Sequence, residues 1–347
     1  MFIVPALRAI RAAYPKAHIT AIVSPRGLWI LSCYPDLLDT LIEYNIYHPR
    51  FAKWKLARRL KPLSFDLHFN FDAWPEMHHF YTQHVRTAKT YRMVRALESD
   101  DTVQVVQTAI GDCPHISRQY LQLTEAAGLP IVSETYCFET LPAVVAEWEA
   151  KWRKKLKVSD TQKVVLLHAG NHSQNTNTLF QKKTFDSRAW RLDYFVAYCK
   201  RMADTFPGLT FVTTGGYYEK KLTRPLSKAL KAAGLSVVDV AGKTTGFSFL
   251  GLFKAASLMI SGDTGPMHLA AASKTPLIGL YFSVNPNDTG PKGDPNKAFI
   301  LQSPIPCAPC LHTAHEHQCP ETTNCVQELT PGLAWLQSQA FLNTFLK

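Results

Sequence analysis

The stretch ISGDTGPMHLAAASKTPLIGLYFSVNPNDTGPKG, residues 260–293, carries the clearest structural pattern in the chain. It has the order of a buried strand end, a tight polar turn, a helix of small residues, a second buried strand and a loop rich in Gly, Pro and Asn. Within the turn, Gly262 supplies backbone freedom. The side chains of Asp263 and Thr264 are predicted to cap the helix that opens at Pro266–Met267.

The predicted helix at 267–273 is nearly all small and apolar, so it can lie close against a sheet. A helix amino terminus at the carboxyl edge of a parallel sheet presents free N–H groups and binds anions. This turn therefore predicts the diphosphate-binding corner of an enzyme that uses a nucleotide sugar. The alternative is an ordinary strand–turn–helix connection with good capping.

Size and composition predict a soluble globular protein with two α/β domains. The chain has 347 residues, of which 46% are hydrophobic and 19% charged. No uncharged apolar run approaches the roughly 20 residues that a membrane-spanning helix needs. The first residues lack the long apolar core and cleavage site of a secretory signal. We therefore expect a cytoplasmic protein whose eight cysteines are reduced, with metal ligation open to some of them.

The chain is strongly basic, with a formal net charge of +11 and a pI near 9.2. Much of this charge lies in the first half, where the run 53–61 interleaves Lys and Arg with Trp54, Leu56 and Leu60. That pattern is typical of a basic amphipathic surface helix, which suits an anionic membrane surface and a peripheral protein. A solvated helix face explains it equally well. No nucleic-acid-binding motif is present, so nucleic acid is not an expected partner.

Strands and helices alternate along the whole sequence, which predicts doubly wound parallel sheets. The predicted strands are residues 17–24, 40–44, 65–71, 163–168, 209–214, 236–240, 258–261, 276–282 and 298–301. The predicted helices are residues 4–14, 27–33, 51–60, 115–127, 143–156, 190–206, 219–233, 247–256, 267–273 and 331–346. The predicted domains are residues 1–150 and 151–330, followed by a terminal helix at 331–347, with the charged helix 143–156 as a bridge.

Several short motifs together carry a family resemblance. GDTGPMHLAAA at 262–272, TP at 275–276 and TGP at 289–291 closely resemble the signature of the lipopolysaccharide heptosyltransferases, glycosyltransferase family 9. Further similar positions are YP at 14–15, LH at 167–168, RAW at 188–190, GG at 215–216, Glu219 and AGKT at 241–244. The resemblance covers essentially the whole chain and is sharpest between residues 163 and 293.

The resemblance implies a GT-B fold, in which two Rossmann-like, doubly wound domains face each other across a cleft. The amino-terminal domain would take the acceptor, a lipopolysaccharide inner core on the cytoplasmic leaflet. The carboxyl-terminal domain would bind an ADP-sugar, with ADP-heptose the typical donor. The implied enzyme is an inverting glycosyltransferase that needs no metal or other cofactor for catalysis.

Five neighbouring residues inherit donor-binding roles from this resemblance. Asp263 resembles the family acid that helps to place the sugar ring. Thr264, Gly265 and Pro266 resemble the turn whose N–H groups hold the diphosphate. His268, one turn into the helix, would reach the phosphates or steady the turn, although a packed helix histidine is the alternative.

Four further donor-binding residues follow from the same resemblance. Arg188 matches a cation that clamps the diphosphate, and Asn171 and His172 match positions that face the phosphates. Glu219 resembles an acid near the nucleoside, where a carboxylate accepts hydrogen bonds from ribose hydroxyls. A surface arginine and a solvated glutamate at a helix start are the alternatives. The loop 169–188 is longer than the usual family spacing.

The sequence departs from the family at its start. The family opens with a strand and a Gly-Asp turn whose Asp is the proposed general base. Counted back from Pro5, that Asp would precede Met1, so the catalytic residue is unknown and the first strand of the amino-terminal domain is expected to be missing. Either the native protein is longer, or the chain is a non-catalytic nucleotide-sugar binder. A GT-B nucleotide-sugar epimerase is a third alternative, whereas a dehydrogenase is excluded because no G-x-G-x-x-G follows a strand.

Four cysteines near the carboxyl terminus form a possible metal site. Cys307, Cys310, Cys319 and Cys325 have the spacing C-x2-C-x8-C-x5-C, with three histidines among them. Four thiolates at such spacing can hold a structural zinc ion. Plain reduced or redox-labile thiols are the alternative. Separately, His78, His79 and His84 lie among aromatic residues, either to touch substrate or as ordinary surface and packing histidines.

Overall fold

The structure, a computed structural model, describes residues 1–44, 49–72, 75–94, 104–107, 115–170, 189–217, 219–311 and 325–347. It divides into two compact units, Met1–Thr140 (unit 1) and Leu141–Lys347 (unit 2). Strands and helices alternate in both units, and all described strand pairs are parallel. The predicted α/β class is thereby confirmed.

The described elements are these. Unit 1 contains α1 (Val4–Ala13), β1 (Thr20–Val23), α2 (Pro25–Leu31), β2 (Thr40–Glu43), α3 (Pro49–Leu60), β3 (Phe65–Asn70), α4 (Pro75–His84), β4 (Thr87–Val94), β5 (Gln104–Gln107) and α5 (Ile116–Ala126). Unit 2 contains α6 (Ala143–Leu156), β6 (Val164–His168), α7 (Leu192–Thr205), β7 (Thr210–Thr213), α8 (Lys220–Ala232), β8 (Val237–Asp239), α9 (Gly246–Ala255), β9 (Leu258–Gly262), α10 (Gly265–Ala272), β10 (Leu277–Tyr281), α11 (Pro286–Thr289), β11 (Ala298–Gln302), α12 (Cys325–Glu328) and α13 (Pro331–Leu346).

Unit 2 is built on one six-stranded sheet with the order β11-β10-β9-β6-β7-β8. The first strand of unit 2, β6, lies at the centre of this sheet, and every residue from Val164 to His168 is buried. Buried runs of this kind are what a parallel sheet covered on both faces requires. The sequence VVLLH provides such a run, which is why residues 163–168 were predictable as a strand.

The strands of unit 1 form two separate sheets. One sheet has two strands in the order β1-β2, and the other has three strands in the order β3-β4-β5. Helix α1 buries every residue from Val4 to Ile10, so its first two turns are enclosed on all sides. The Arg8 guanidinium on this helix donates to the carbonyls of Thr135 and Cys137, each at 2.7 Å.

The two compact units meet after Thr140, ahead of helix α6. Helix α6 therefore belongs to unit 2, where Trp152 Nε1 donates to the Ser248 carbonyl of α9 at 2.6 Å. The terminal helix α13 also belongs to the core of unit 2, because Trp335 and Leu342 are buried there. The Ser338 hydroxyl pairs with the Tyr198 hydroxyl at 2.6 Å.

Helix α3 confirms the predicted helix at 51–60. Leu56 and Leu60 are almost fully buried, whereas Phe51 and Trp54 are 68% and 56% exposed. None of the described helices combines the length and hydropathy of a membrane-spanning segment.

Helices α6 and α9 pack so closely that Gly251 has no room for a side chain. A Cβ at this position would lie 2.8 Å from the Trp148 carbonyl carbon and 2.9 Å from the Glu149 nitrogen. Those neighbours are backbone atoms, which cannot rotate away. Glycine at 251 is therefore required for this helix–helix contact.

We expect Gly251→Ala to lower the free energy of unfolding by about 1–3 kcal/mol, because overpacking outweighs the gain in helix propensity. Gly332→Ala is the matched control, since a Cβ there comes no nearer than 4.0 Å to another atom. The control should leave stability unchanged or slightly raised. The urea midpoint, followed by tryptophan fluorescence, measures both, and an unchanged midpoint for Gly251→Ala would contradict the packing argument.

Candidate functional site

The candidate site lies at the carboxyl edge of the unit 2 sheet, where the strand order reverses. From β6 the chain moves outward to β7 and β8, then returns to β9 on the other side of β6. His168 at the end of β6 is in register with Ser261 of β9. In open α/β sheets, ligands bind at such a switch point because the connections leave it in opposite directions.

The turn after β9 differs from the prediction in how it is capped. Helix α10 begins at Gly265 with Thr264 as N-cap, but no side chain caps it. The Thr264 hydroxyl instead pairs with the Ser261 hydroxyl at 3.0 Å. The prediction that Asp263 and Thr264 cap this helix is therefore wrong. A Cβ on Gly265 would meet no described atom within 4 Å, so the space over the first turn is open.

The Asp263 carboxylate is held by two side chains from different parts of the chain. His268 Nε2 lies 3.3 Å from Asp263 Oδ1, and the Thr289 hydroxyl donates to Asp263 Oδ2 at 3.0 Å. The His268 and Asp263 side chains are only 8% and 18% exposed. The carboxylate is therefore fixed in orientation beside the open first turn of α10. His268 contacts the turn through Asp263, and its role toward a donor stays a prediction.

Glu219 is enclosed by glycines rather than solvated. The Gly216 N–H donates to Glu219 Oε2. A Cβ on Gly170 would lie 2.7 Å from Glu219 Oε1, and one on Gly215 would lie 3.2 Å from Glu219 Cβ. The Glu219 side chain is 13% exposed. The alternative of a solvated helix-start glutamate is therefore wrong, and the side chain has a built environment.

His168 connects Glu219 to the centre of the sheet. Its Nε2 lies 3.8 Å from Glu219 Oε1, and its Nδ1 lies 3.3 Å from the Thr214 hydroxyl. Burial lowers the pKa of His168 because it penalises the charged imidazolium, while the Glu219 carboxylate opposes that shift. The His168 imidazole and the Glu219 carboxylate therefore face each other at the carboxyl edge of the sheet.

Three predicted donor-binding residues, Asn171, His172 and Arg188, lie outside the described residues. Their roles stay predictions. The structure brings Asp263, Thr264, Gly265, Pro266 and His268 together at one turn, as predicted from the sequence.

The possible zinc site receives no support from the structure. Cys319 lies outside the described residues, while Cys307 is exposed, Cys310 is half-buried and Cys325 is buried. Among the described residues, no three His, Cys, Asp or Glu side chains form a group suited to a metal ion.

The predicted histidine cluster divides into separate packing interactions along helix α4. His78 is buried, with its Nε2 2.5 Å from the Asp72 carbonyl. His79 Nε2 lies 2.9 Å from Gln83 Nε2. The ring of His84 packs on Phe80, with centroids 4.6 Å apart. These contacts favour the alternative of ordinary surface and packing histidines.

A doubly wound sheet with an open helix amino terminus and a fixed carboxylate at its switch point is the arrangement of a nucleotide-binding α/β protein. The sequence model of glycosyltransferase family 9 (heptosyltransferase) matches residues 114–320, more than half of the chain. The chain therefore belongs to glycosyltransferase family 9, whose heptosyltransferases are metal-independent.

Curated relatives match over shorter segments. Lipooligosaccharide heptosyltransferase 2 of Campylobacter jejuni (serotype O:2) is 25% identical over 146 residues, which are 42% of this chain and 44% of the relative. Lipopolysaccharide core heptosyltransferase OpsX of Haemophilus influenzae is 42% identical over 53 residues, 15% of each chain. The match thus spans less than half of these relatives' length.

Solved structures match almost end to end. A family 9 glycosyltransferase from Veillonella parvula has a TM-score of 0.81 at 15% identity and covers 99% of this chain and 93% of its own. ADP-heptose lipopolysaccharide heptosyltransferase II of E. coli has a TM-score of 0.69 at 17% identity, covering 99% and 95%. E. coli heptosyltransferase WaaC with ADP has a TM-score of 0.66 at 14% identity, with the same coverage. These neighbours are GT-B glycosyltransferases, which confirms the predicted fold class.

Sequence patterns carry only partial signals for three side chains of this site. Thr289 stands in the TGP motif, but nothing in that motif shows that it bonds Asp263, 26 residues away. His168 is a polar residue ending an apolar strand, a signal that indicates the sheet edge but not its contact with Glu219. Thr214 reaches His168 only because β6 and β7 are neighbours.

We expect Glu219→Gln to lower the pKa of His168 further, because the carboxylate is the group that favours the imidazolium. NMR titration of the histidine ring carbons in the full chain measures this shift. Glu147→Gln is the matched control, since Glu147 is exposed on α6 and pairs only weakly, at 3.6 Å, with Lys151. A His168 pKa that rises or stays constant in Glu219→Gln would show that the pair is not electrostatically coupled.

Proposed function

We propose that this protein is a glycosyltransferase that moves a heptose, or a related sugar, from an ADP-sugar to a lipopolysaccharide inner core. The observation that carries the proposal is the fixed Asp263 carboxylate beside the open first turn of α10. Membership of family 9 supports the reaction class. WaaC has been solved with ADP and with ADP-2-deoxy-2-fluoro heptose, which supports the choice of donor.

The diphosphate would bind at the amino terminus of α10, over Thr264, Gly265 and Pro266. The acceptor hydroxyl attacks the anomeric carbon with inversion, and the bond from that carbon to the diphosphate oxygen breaks. The electron pair and negative charge leave with the diphosphate, where backbone N–H groups and the helix dipole stabilise them. The base that takes the hydroxyl proton is assigned to none of the described residues.

Asp263 and Glu219 would orient the two ends of the donor. A carboxylate held by His268 and Thr289 can accept hydrogen bonds from sugar hydroxyls without first reorganising. Glu219, enclosed by Gly170, Gly215 and Gly216, would accept from the ribose hydroxyls. Arg188, Asn171 and His172 remain proposed phosphate contacts.

The test is transfer from ADP-heptose to a heptose-free lipopolysaccharide core, with binding of ADP-heptose measured separately by calorimetry. We expect Asp263→Asn to lower kcat/KM about 10- to 100-fold, the effect of losing a charged hydrogen bond of about 1.5–3 kcal/mol. Asp294→Asn is the matched control. Asp294 is a half-buried cap whose Oδ1 accepts from Asn296 N, a role that asparagine fills equally well.

The outcomes separate the alternatives. Binding of ADP-heptose without transfer would identify a non-catalytic nucleotide-sugar binder. Conversion of a nucleotide sugar in the absence of acceptor would indicate an epimerase. If neither binding nor transfer occurs with ADP-heptose, the donor assignment fails.

We also infer that helix α3 places this protein on the inner face of the cytoplasmic membrane. Phe51 and Trp54 stack at 5.9 Å on the exposed side of the helix, and the Arg58 guanidinium lies 5.7 Å from the Trp54 ring. A cavity of about 440 Å³ beside them is lined by Lys61 and Arg86 as well. Exposed aromatic rings beside cations suit an anionic lipid interface.

We expect binding to phosphatidylglycerol-containing vesicles and little binding to pure phosphatidylcholine. Arg58→Gln with Lys61→Gln should weaken binding about 30-fold, at about 1 kcal/mol for each cation near the surface. The matched control is Lys151→Gln with Lys155→Gln on the exposed side of α6. Vesicle cosedimentation at two salt concentrations measures both, and equal effects of the two double variants would sink the assignment to α3.

A further inference from the structure

One aromatic side chain at the carboxyl edge of the unit 2 sheet is accessible to solvent although its position is fixed. Tyr217 lies in the loop after β7 and is 69% exposed. Lys220, the first residue of α8, places its ammonium nitrogen 4.1 Å from the centre of the Tyr217 ring. At that distance the cation is attracted to the ring. The ammonium group therefore holds the ring in place while most of the residue stays accessible.

Gly242, in the loop after β8, is part of the same arrangement. Its N–H donates to the Gly215 carbonyl at 2.8 Å, which joins the loops after β7 and β8. A Cβ on Gly242 would lie 2.9 Å from the Lys220 ammonium nitrogen and 3.3 Å from Tyr217 Cα. Its φ of +69° also lies in the left-handed region that favours glycine. The Lys220 side chain therefore lies against both the Tyr217 ring and the Gly242 backbone.

Tyr217 and Glu219 lie on opposite sides of one short loop. They are two residues apart, so their Cα atoms are separated by no more than about 7 Å. The Glu219 carboxylate lies on the β6 side of the loop, beside Gly170. Tyr217 lies on the β8 side, beside Gly242. A ligand group at Glu219 therefore has Tyr217 as its next neighbour toward β8.

The connections that carry these residues follow one another along the edge of the sheet in the strand order β9-β6-β7-β8. Asp263 follows β9, Gly170 follows β6, Glu219 and Tyr217 follow β7, and Gly242 follows β8. The parts of a nucleotide sugar also have a fixed order, which is sugar, diphosphate, ribose and base. A donor with its diphosphate at α10 and its ribose at Glu219 therefore directs its base toward the loops after β7 and β8.

We propose that Tyr217 is the stacking platform for the base of the bound donor, which is adenine in the ADP-sugar proposed above. This inference rests on the proposed function and adds the part of the site that receives the base. The flat base lies on the accessible surface of the ring, and the ribose hydroxyls reach the Glu219 carboxylate. Each base has a π-face, so an aromatic side chain at this place contributes affinity for a nucleoside diphosphate.

Lys220 is a positioning residue in this arrangement, because it contacts the Tyr217 ring and the Gly242 backbone rather than the base. A ring that is already held does not have to be ordered when the base binds, which lowers the entropic cost of binding. The close approach at Gly242 keeps a side chain from taking the place of the Lys220 ammonium group.

The first test measures binding of ADP to the full chain by calorimetry. Tyr217→Ala should weaken binding about 5- to 150-fold, the range for losing one stack between a base and an aromatic ring. Tyr217→Phe is the matched control, because it keeps the ring and removes only the hydroxyl, and it should bind ADP as the unaltered chain does. In NMR spectra of ADP, the adenine ring protons should shift upfield on binding to the unaltered chain and to Tyr217→Phe.

The second test separates the placing of the ring from the net charge. Lys220→Met keeps the stem of the side chain and removes the ammonium group. It should weaken ADP binding about 2- to 5-fold, the range for losing an exposed cation–π contact. Lys221→Met is the matched control, since Lys221 is the next residue of α8, is exposed and carries the same charge. It should leave ADP binding unchanged.

The outcomes distinguish a failure of this inference from a failure of the proposed function. If the unaltered chain does not bind ADP, the proposed donor fails and the platform with it. If the unaltered chain binds ADP but its adenine protons do not shift upfield, only the platform fails, whether or not a variant folds. Equal affinity in Tyr217→Ala and the unaltered chain, or equal losses in Tyr217→Ala and Tyr217→Phe, would also overturn it.

Discussion

A strand at the centre of a parallel sheet must have both edges hydrogen-bonded and both faces covered. In unit 2, the neighbouring strands and the core meet this requirement for β6. Strands β7 and β9 pair with its edges, and the core residues on either face bury all five of its residues. In the resulting strand order, β7 and β8 lie on one side of β6, and β9, β10 and β11 lie on the other. The candidate site exists at that edge because the connections from β6 and β9 diverge there.

The polar groups at this edge are held by side chains that come from several connections. Asp263 directly follows β9, and its carboxylate is contacted by His268 of α10 and Thr289 of α11. Glu219 follows β7 and is held by the Gly216 N–H beside His168. Each carboxylate therefore has its orientation fixed by these contacts, so a ligand that it bound would not have to order the side chain first.

Sequence patterns were sufficient to predict most helices and strands, but they were not sufficient to predict the contacts between them. Buried runs such as 163–168 and the turn 262–266 have local causes, so strands, helices and the site's position were predictable. Residues 87–94 and 104–107 form strands without a clear sequence pattern, and the structure shows them paired in parallel with each other and with β3. The capping prediction was wrong because the Thr264 hydroxyl had a competing partner in Ser261, which only the fold brings near. The bond from Thr289 to Asp263 likewise depends on tertiary structure.

The glycines around Glu219 have a consequence for how this protein can vary. The Glu219 side chain occupies the volume in which a Cβ of Gly170 would lie, and it crowds the same position at Gly215 and Gly216. These positions and residue 219 therefore share a single small volume. A larger residue at 170 is compatible only with a shorter acid at 219, so evolutionary change at one position is constrained by the other.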